Sequence, residues 1–209
     1  MKLILPKIYP ITDTRLSGLS HAAQVEKLID GGATFIQLRE KYAASKDFYE
    51  DAKLAIEIAR RNSVKIIIND RADIALVLKA DGFHLGQDDL PPQKARELLG
   101  ENAIIGFSTH NISQAAEAIK LPIDYLAIGP VFATTTKENH DKIVGIEGVK
   151  RVREAVGNFP LVAIGGITAE NFGEVFEAGA DSIAVIKAIL FPPENIAENL
   201  QSFYLNRSK

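Results

Sequence analysis

Short runs of apolar, β-branched residues alternate along the chain with longer segments whose apolar positions recur at helical spacing. The runs predict strands at 7–12, 34–38, 64–69, 82–85, 104–107, 125–129, 161–164 and 182–185. Between them the spacing predicts helices at 21–30, 45–61, 71–79, 91–99, 113–119, 145–156, 169–178 and 194–204. Local signals agree: Thr168 stands before one helix with Asn171 three residues on, and Pro91-Pro92 sits where a first helical turn tolerates a missing N–H. Gly31-Gly32 and Gly179 fit helix ends. Strand and helix in strict alternation mean parallel strands joined by crossovers. At roughly 26 residues per unit, eight units use up the chain, so the pattern predicts a single (β/α)8 barrel domain over residues 1–209. An open doubly wound sheet writes the same pattern. The barrel is preferred because nearly every strand hands over to chemically capable residues, and a barrel gathers chemistry at the C-terminal ends of its strands.

Composition narrows the partners. A chain of 209 residues hides roughly 70% of its unfolded surface and needs no staple. With Cys 0, disulfides, thiolate metal sites and a cysteine nucleophile are excluded. Lys+Arg 24 against Asp+Glu 27, for a net charge of −3, leaves no global basic field for nucleic acid, so any anion site must be local. No stretch approaches the ~20 uninterrupted apolar residues of a membrane helix. The expectation is a soluble, cytoplasmic protein whose partners are small molecules, neither nucleic acid nor membrane, with a homo-oligomer left open.

The strand ends carry the candidate chemistry. After the second run, period-two alternation sends Gln37, Arg39 and Lys41 to one side and Leu38 to the other, and two cations with an amide suit a phosphate or diphosphate. A solvated strand end paired with Glu40 and Asp47 is the plainer reading. The third run leads into Asn69-Asp70-Arg71 and the fourth into Gln87-Asp88-Asp89. Carboxylates from adjacent strand ends, Asp70 and Asp89, are an economical holder for Mg²⁺, which completes its shell with water and substrate phosphates. For Asp70 alone, capping the next helix serves equally well. Ser108-Thr109-His110 follows the fifth run. After the sixth, Thr134-Thr135-Thr136-Lys137 opens a long polar loop expected to act as a lid over an anion. Gly165-Gly166 after the seventh run and Ile186-Lys187 after the eighth fall where such barrels build phosphate sites from close-approaching backbone and exposed N–H groups. His21, His84, His110 and His140 lack metal-site spacing and are read as ordinary. Taken alone, these residues point to a metal-dependent transferase or lyase acting on a diphosphate, with a second phosphate held opposite.

The blocks Tyr9-Pro10-Ile11-Thr12-Asp13, Gln37-Leu38-Arg39-Glu40-Lys41, Asn69-Asp70-Arg71, His84 to Pro91, Gly106 to His110, Gly129-Pro130-Val131-Phe132, Thr134 to Lys137 and Ala163 to Ile167 together resemble the thiamine-phosphate synthase (thiamine-phosphate pyrophosphorylase) family over nearly the whole chain. The resemblance implies condensation of 4-amino-2-methyl-5-hydroxymethylpyrimidine diphosphate with 4-methyl-5-(2-phosphoethyl)thiazole, or its carboxylated form, to thiamine monophosphate, with release of pyrophosphate through a pyrimidine carbocation. It implies that Gln37, Leu38, Arg39, Glu40, Lys41, Asn69, Ser108 and Lys137 bind the pyrimidine diphosphate, with Arg39, Lys41, Ser108 and Lys137 serving catalysis. It also implies that Asp70 and Asp89 hold one Mg²⁺ per subunit. Thr134, Thr135, Thr136, Gly165, Gly166, Ile186 and Lys187 would cradle the thiazole phosphate. Lys187 departs from the family pattern, which has a small residue there. Its stem is expected to turn away and leave the backbone N–H to serve. The sister thiazole tautomerases share barrel and cradle but need no diphosphate site, so Asp70, Asp89 and the segment from Thr134 to Lys137 favour the synthase.

Overall fold

A computed structural model describes residues 3–134 and 142–205. Eight parallel strands close into a barrel: β1 (Ile8–Thr12), β2 (Phe35–Leu38), β3 (Lys65–Asn69), β4 (Gly82–Leu85), β5 (Ile104–Thr109), β6 (Tyr125–Ile128), β7 (Leu161–Ile164) and β8 (Ser182–Val185). The first strand closes the ring on the last, with Ile8, Tyr9 and Pro10 in register with Ile183, Ala184 and Val185. Around it lie α1 (Thr14–Ser17), α2 (His21–Asp30), α3 (Ser45–Arg61), α4 (Ala72–Leu78), α5 (Pro92–Leu99), α6 (Ile112–Ala118), α7 (Gly145–Val156), α8 (Phe172–Glu177), α9 (Lys187–Leu190) and α10 (Ile196–Leu205). Among the described residues no helix is long and apolar enough to cross a membrane.

The strands bury both faces, so alternation separates two cores instead of core from solvent. Tyr9, Ile11, Phe35, Ile67, Ile104, Tyr125, Ala127, Val162 and Ala184 fill the barrel. Their neighbours, such as Ile36, Leu38, Ile66, Ile68, Leu126 and Ile183, pack outward against the helices. At the N-terminal end a device recurs before three even strands. The carboxylates of Asp81, Asp124 and Asp181 accept the backbone N–H groups of Ile66, Ile105 and Leu161 at 2.8, 2.8 and 2.9 Å. Arg96 binds Asp124 at 2.7 Å and Arg153 binds Asp181 at 2.6 Å, tying a helix to the floor of the barrel.

Boundaries differ from expectation where side chains compete with the helix. The helix expected at 169–178 begins only at Phe172, because Asn171 takes the N–H of Thr168 at 2.8 Å and donates to the Gly166 carbonyl at 3.0 Å, holding 166–171 as a turn. The segment expected as one helix at 194–204 is a 3-10 turn, Pro193–Asn195, followed by α10. Strand β5 runs on through Thr109, which makes Ser108 a strand residue rather than a loop residue. The short helix α1, capped by Asp13 through the Leu16 N–H at 3.0 Å, is unforeseen.

Candidate active site

Strand β2 and the loop after it carry five of the candidates, and they part company there. Gln37 points inward and is buried. Leu38 is fully buried among the outer-core residues, so its side chain faces the helices, not a ligand. Arg39 reaches the carboxylate of Asp13, and Lys41 forms an ion pair with Asp70, in place of the pairing with Glu40 and Asp47. Glu40 turns inward. One of its oxygens accepts the N–H groups of Tyr42 and Ala43 at 2.8 and 3.1 Å, and the other accepts the Thr14 hydroxyl at 2.7 Å and lies 3.4 Å from His21. Burial alone would raise the Glu40 pKa, but these hydrogen bonds and His21 outweigh it and bring it down to about 2. With both oxygens committed inside the protein, Glu40 shapes the loop that carries Arg39 and Lys41.

The acids follow from β3 and β4. Asn69 is buried and in register with His84. Asp70 adopts a left-handed backbone, φ 59°, which Asp tolerates better than most residues. It caps no helix: α4 starts after Arg71 with no side-chain cap bond. Asp89 accepts the Gly86 N–H at 2.6 Å. Burial raises its pKa against that hydrogen bond, and the adjacent Asp70 carboxylate raises it further. Two acids therefore face each other with Lys41 beside them. Asp88 is exposed. Among the described residues no group of three or more His, Cys, Asp or Glu could hold a metal, so any ion here would rest on this pair.

Sequence reasoning missed what lies beneath the acids. Gln37 Nε2 donates to the Tyr9 hydroxyl at 2.9 Å, which lies 3.0 Å from the Tyr125 hydroxyl. The Tyr125 hydroxyl meets His84 Nδ1 at 3.0 Å, and His84 Nε2 meets Ser108 Oγ at 2.8 Å. Gly106 makes room, since a Cβ there would stand 2.1 Å from Tyr125 Cζ. Burial pushes His84 down to about 4, so it is neutral at pH 7, and pushes both tyrosines up so that they stay protonated. The available signal was parity: Tyr9, Gln37, His84, Ser108 and Tyr125 all occupy inward positions of their strands, where a barrel otherwise wants apolar side chains.

The opposite rim comes from β6 to β8. The chain after β6 runs beside the end of β7, with Val131 and Phe132 N–H groups donating to the Ile164 and Gly165 carbonyls at 2.9 Å each. Gly165 and Gly166 have φ of 105° and 64°. A Cβ would stand 2.6 Å from Pro130 Cβ at the first and 2.5 Å from the Ala133 carbonyl oxygen at the second. The glycines thus let this segment cross tightly and bring Thr134, half-buried, to the rim. Ile186 is half-buried and Lys187 exposed at the start of α9. Thr135, Thr136 and Lys137, with the lid expected around them, lie outside the described residues.

The chain's likenesses agree with this geometry. A model of the thiamine monophosphate synthase family matches residues 8–189. The thiamine-phosphate synthase of Chloroflexus aurantiacus is 46% identical over 185 residues, covering 88% of this chain and 85% of that protein. That of Koribacter versatilis is 42% identical over 202 residues, covering 93% and 94%. The structure of a thiamine phosphate pyrophosphorylase from Pyrococcus furiosus superposes with a TM-score of 0.87 at 37% identity, covering 97% of this chain and 95% of the other. A 3-hexulose-6-phosphate synthase, at 16% identity and a TM-score of 0.68, shares the fold alone. The barrel, its paired acids and cations, and its glycine-lined far rim are those of a chain that belongs to the thiamine monophosphate synthase family.

Proposed function

We propose that this protein is a thiamine-phosphate synthase of thiamine biosynthesis. It joins 4-amino-2-methyl-5-hydroxymethylpyrimidine diphosphate to 4-methyl-5-(2-phosphoethyl)thiazole, or its carboxylated form, and releases pyrophosphate. The observation that carries the reading is the facing pair Asp70 and Asp89 at adjacent strand ends, with Lys41 on Asp70. A carboxylate whose pKa is raised by burial and by the acid beside it belongs to a donor set short of positive charge. The pair fits Mg²⁺, which takes one or two protein carboxylates and leaves its other positions to water and phosphate oxygens. When bound, the ion supplies charge to offset the diphosphate as it departs.

The chain's own residues do the rest. Arg39 and Lys41, with Lys137, meet the charge that gathers on the leaving pyrophosphate, while Asn69, Gln37 and Ser108 hold the pyrimidine diphosphate. Departure leaves a resonance-stabilised pyrimidine carbocation, which the thiazole nitrogen captures. The thiazole phosphate lies against Gly165-Gly166, the threonines from Thr134 to Thr136, and the Ile186-Lys187 backbone. Lys187 serves through its N–H, its exposed side chain turned to water. No covalent enzyme intermediate is needed, consistent with the absence of cysteine. The test is formation of thiamine monophosphate from both purified substrates, with each omitted in turn. Product only when both are present is expected, and well-folded protein that forms none overturns the reading.

A further inference from the structure

Every link between Gln37 and Ser108 is a hydrogen bond between buried or half-buried groups, and each hydroxyl has one proton to give. Gln37 Nε2 donates to Tyr9, so the Tyr9 proton must go to Tyr125, its other partner. Tyr125 has then received and must pass its own proton toward His84 Nδ1. That nitrogen is therefore bare and the ring proton sits on Nε2, aimed at Ser108 Oγ. Ser108 accepts from His84 and keeps its own proton for whatever lies in the mouth. The order has one alternative, since turning the Gln37 amide by half a rotation reverses every link, puts the ring proton on Nδ1 and spends the Ser108 proton on His84.

We propose that Gln37, Tyr9, Tyr125 and His84 act as a positioning relay that sets the hydrogen-bond polarity of Ser108, making its hydroxyl a donor toward an anionic oxygen of the substrate. The identity of that oxygen as the diphosphate's rests on the proposed function; the relay itself does not. Its polarity also explains why a barrel interior tolerates so many polar atoms. The connected chain gives each of its hydroxyls and both His84 ring nitrogens a partner, while Gly106 gives up its side chain to let Tyr125 and His84 meet. The low pKa of His84 agrees with a ring that serves as a neutral, directional link.

The relay is read in the full-length protein without ligand by ¹⁵N NMR of labelled histidine, with His84 assigned by loss of its signals in His84→Gln. The expected spectrum shows Nδ1 as a bare ring nitrogen and Nε2 as a protonated one. Gln37→Glu, whose carboxylate can only accept from Tyr9, is expected to exchange the two. Should that variant fail to fold, Tyr9→Phe, which releases Tyr125 to give or to accept, is expected to produce a mixture of the two forms. A wild-type His84 that is protonated on Nδ1, cationic or averaged overturns the relay, as does a ring unmoved by both substitutions. Kinetics separate the second claim. Ser108→Ala is expected to raise the KM for the pyrimidine diphosphate about tenfold or more, the size of a lost hydrogen bond to a charged group. An unchanged KM with the expected spectrum keeps the relay and removes the diphosphate from Ser108.

Discussion

At the scale of single residues, the site depends on side chains that never reach a ligand. Glu40 sits between Arg39 and Lys41 in sequence yet spends both oxygens on Thr14, Tyr42 and Ala43. Glu40→Ala should therefore leave the barrel folded but raise the KM for the pyrimidine diphosphate by about tenfold, since misplaced cations lose charge-assisted hydrogen bonds. Glu40→Gln, which keeps an acceptor for the loop N–H groups, should restore most of the affinity. Steady-state kinetics of the two variants decide it, and equal KM values in both and in the parent would show that the loop needs no such anchor. Asp89, at the metal site itself, makes a different case. Its pKa is raised by burial and by Asp70, so the free protein bears an electrostatic cost there. Asp89→Asn should raise the thermal midpoint of the metal-free protein and remove its response to Mg²⁺, both readable in one melting series. A midpoint that falls, or that still climbs with Mg²⁺, would mean the pair is not a metal site.

At the scale of elements, the segment after β6 crosses the end of β7 in a tight joint. Gly166→Ala would add left-handed strain and a carbon 2.5 Å from the backbone oxygen of Ala133, an atom that cannot swing aside. A loss of about 1–3 kcal/mol in urea unfolding is expected. A neutral substitution would show that this crossing is loose. Such joints explain what was legible in the sequence. Strands 82–85, 161–164 and 182–185 were read to the residue because glycine, proline or aspartate bounds them. The Gly165-Gly166 turn was read as a phosphate cradle, but its need for glycine is internal, set by Pro130 and Ala133, which no local pattern encodes. The same holds for Asn171, whose bonds to Thr168 and Gly166 postpone α8. Alternation had already sent Leu38 away from the mouth, and the structure keeps it there.

At the scale of the whole molecule, the seven crossovers between the eight strands were legible because the strands are short, mostly apolar buried runs and the longer helices each bury one stripe. The chain of contacts across the barrel was not, because Tyr9, Gln37, His84, Ser108 and Tyr125 come from five strands and meet only on closure. Two of the buried histidines also set the pH response of the fold. Burial lowers His21 and His84 below the 6.5 of an unfolded histidine, the latter to about 4. The unfolded chain then binds more protons below pH 6.5, so stability is full above that value and falls as the pH drops toward 4. Glu40, held at about 2, adds a further loss only once the pH passes below the ordinary glutamate range. Urea midpoints measured from pH 7.5 down to about 5 should decline, and His84→Gln should flatten part of the decline. A flat profile would mean that these rings are not held neutral.

The central claim, that the mouth is a diphosphate site built on Asp70 and Asp89, is tested most directly by thiamine monophosphate formation from both substrates with Mg²⁺, beside an EDTA control and Asp70→Asn. Product that vanishes in both controls is the expected result. Product that persists in either control, with Asp70→Asn shown to be folded, would contradict it.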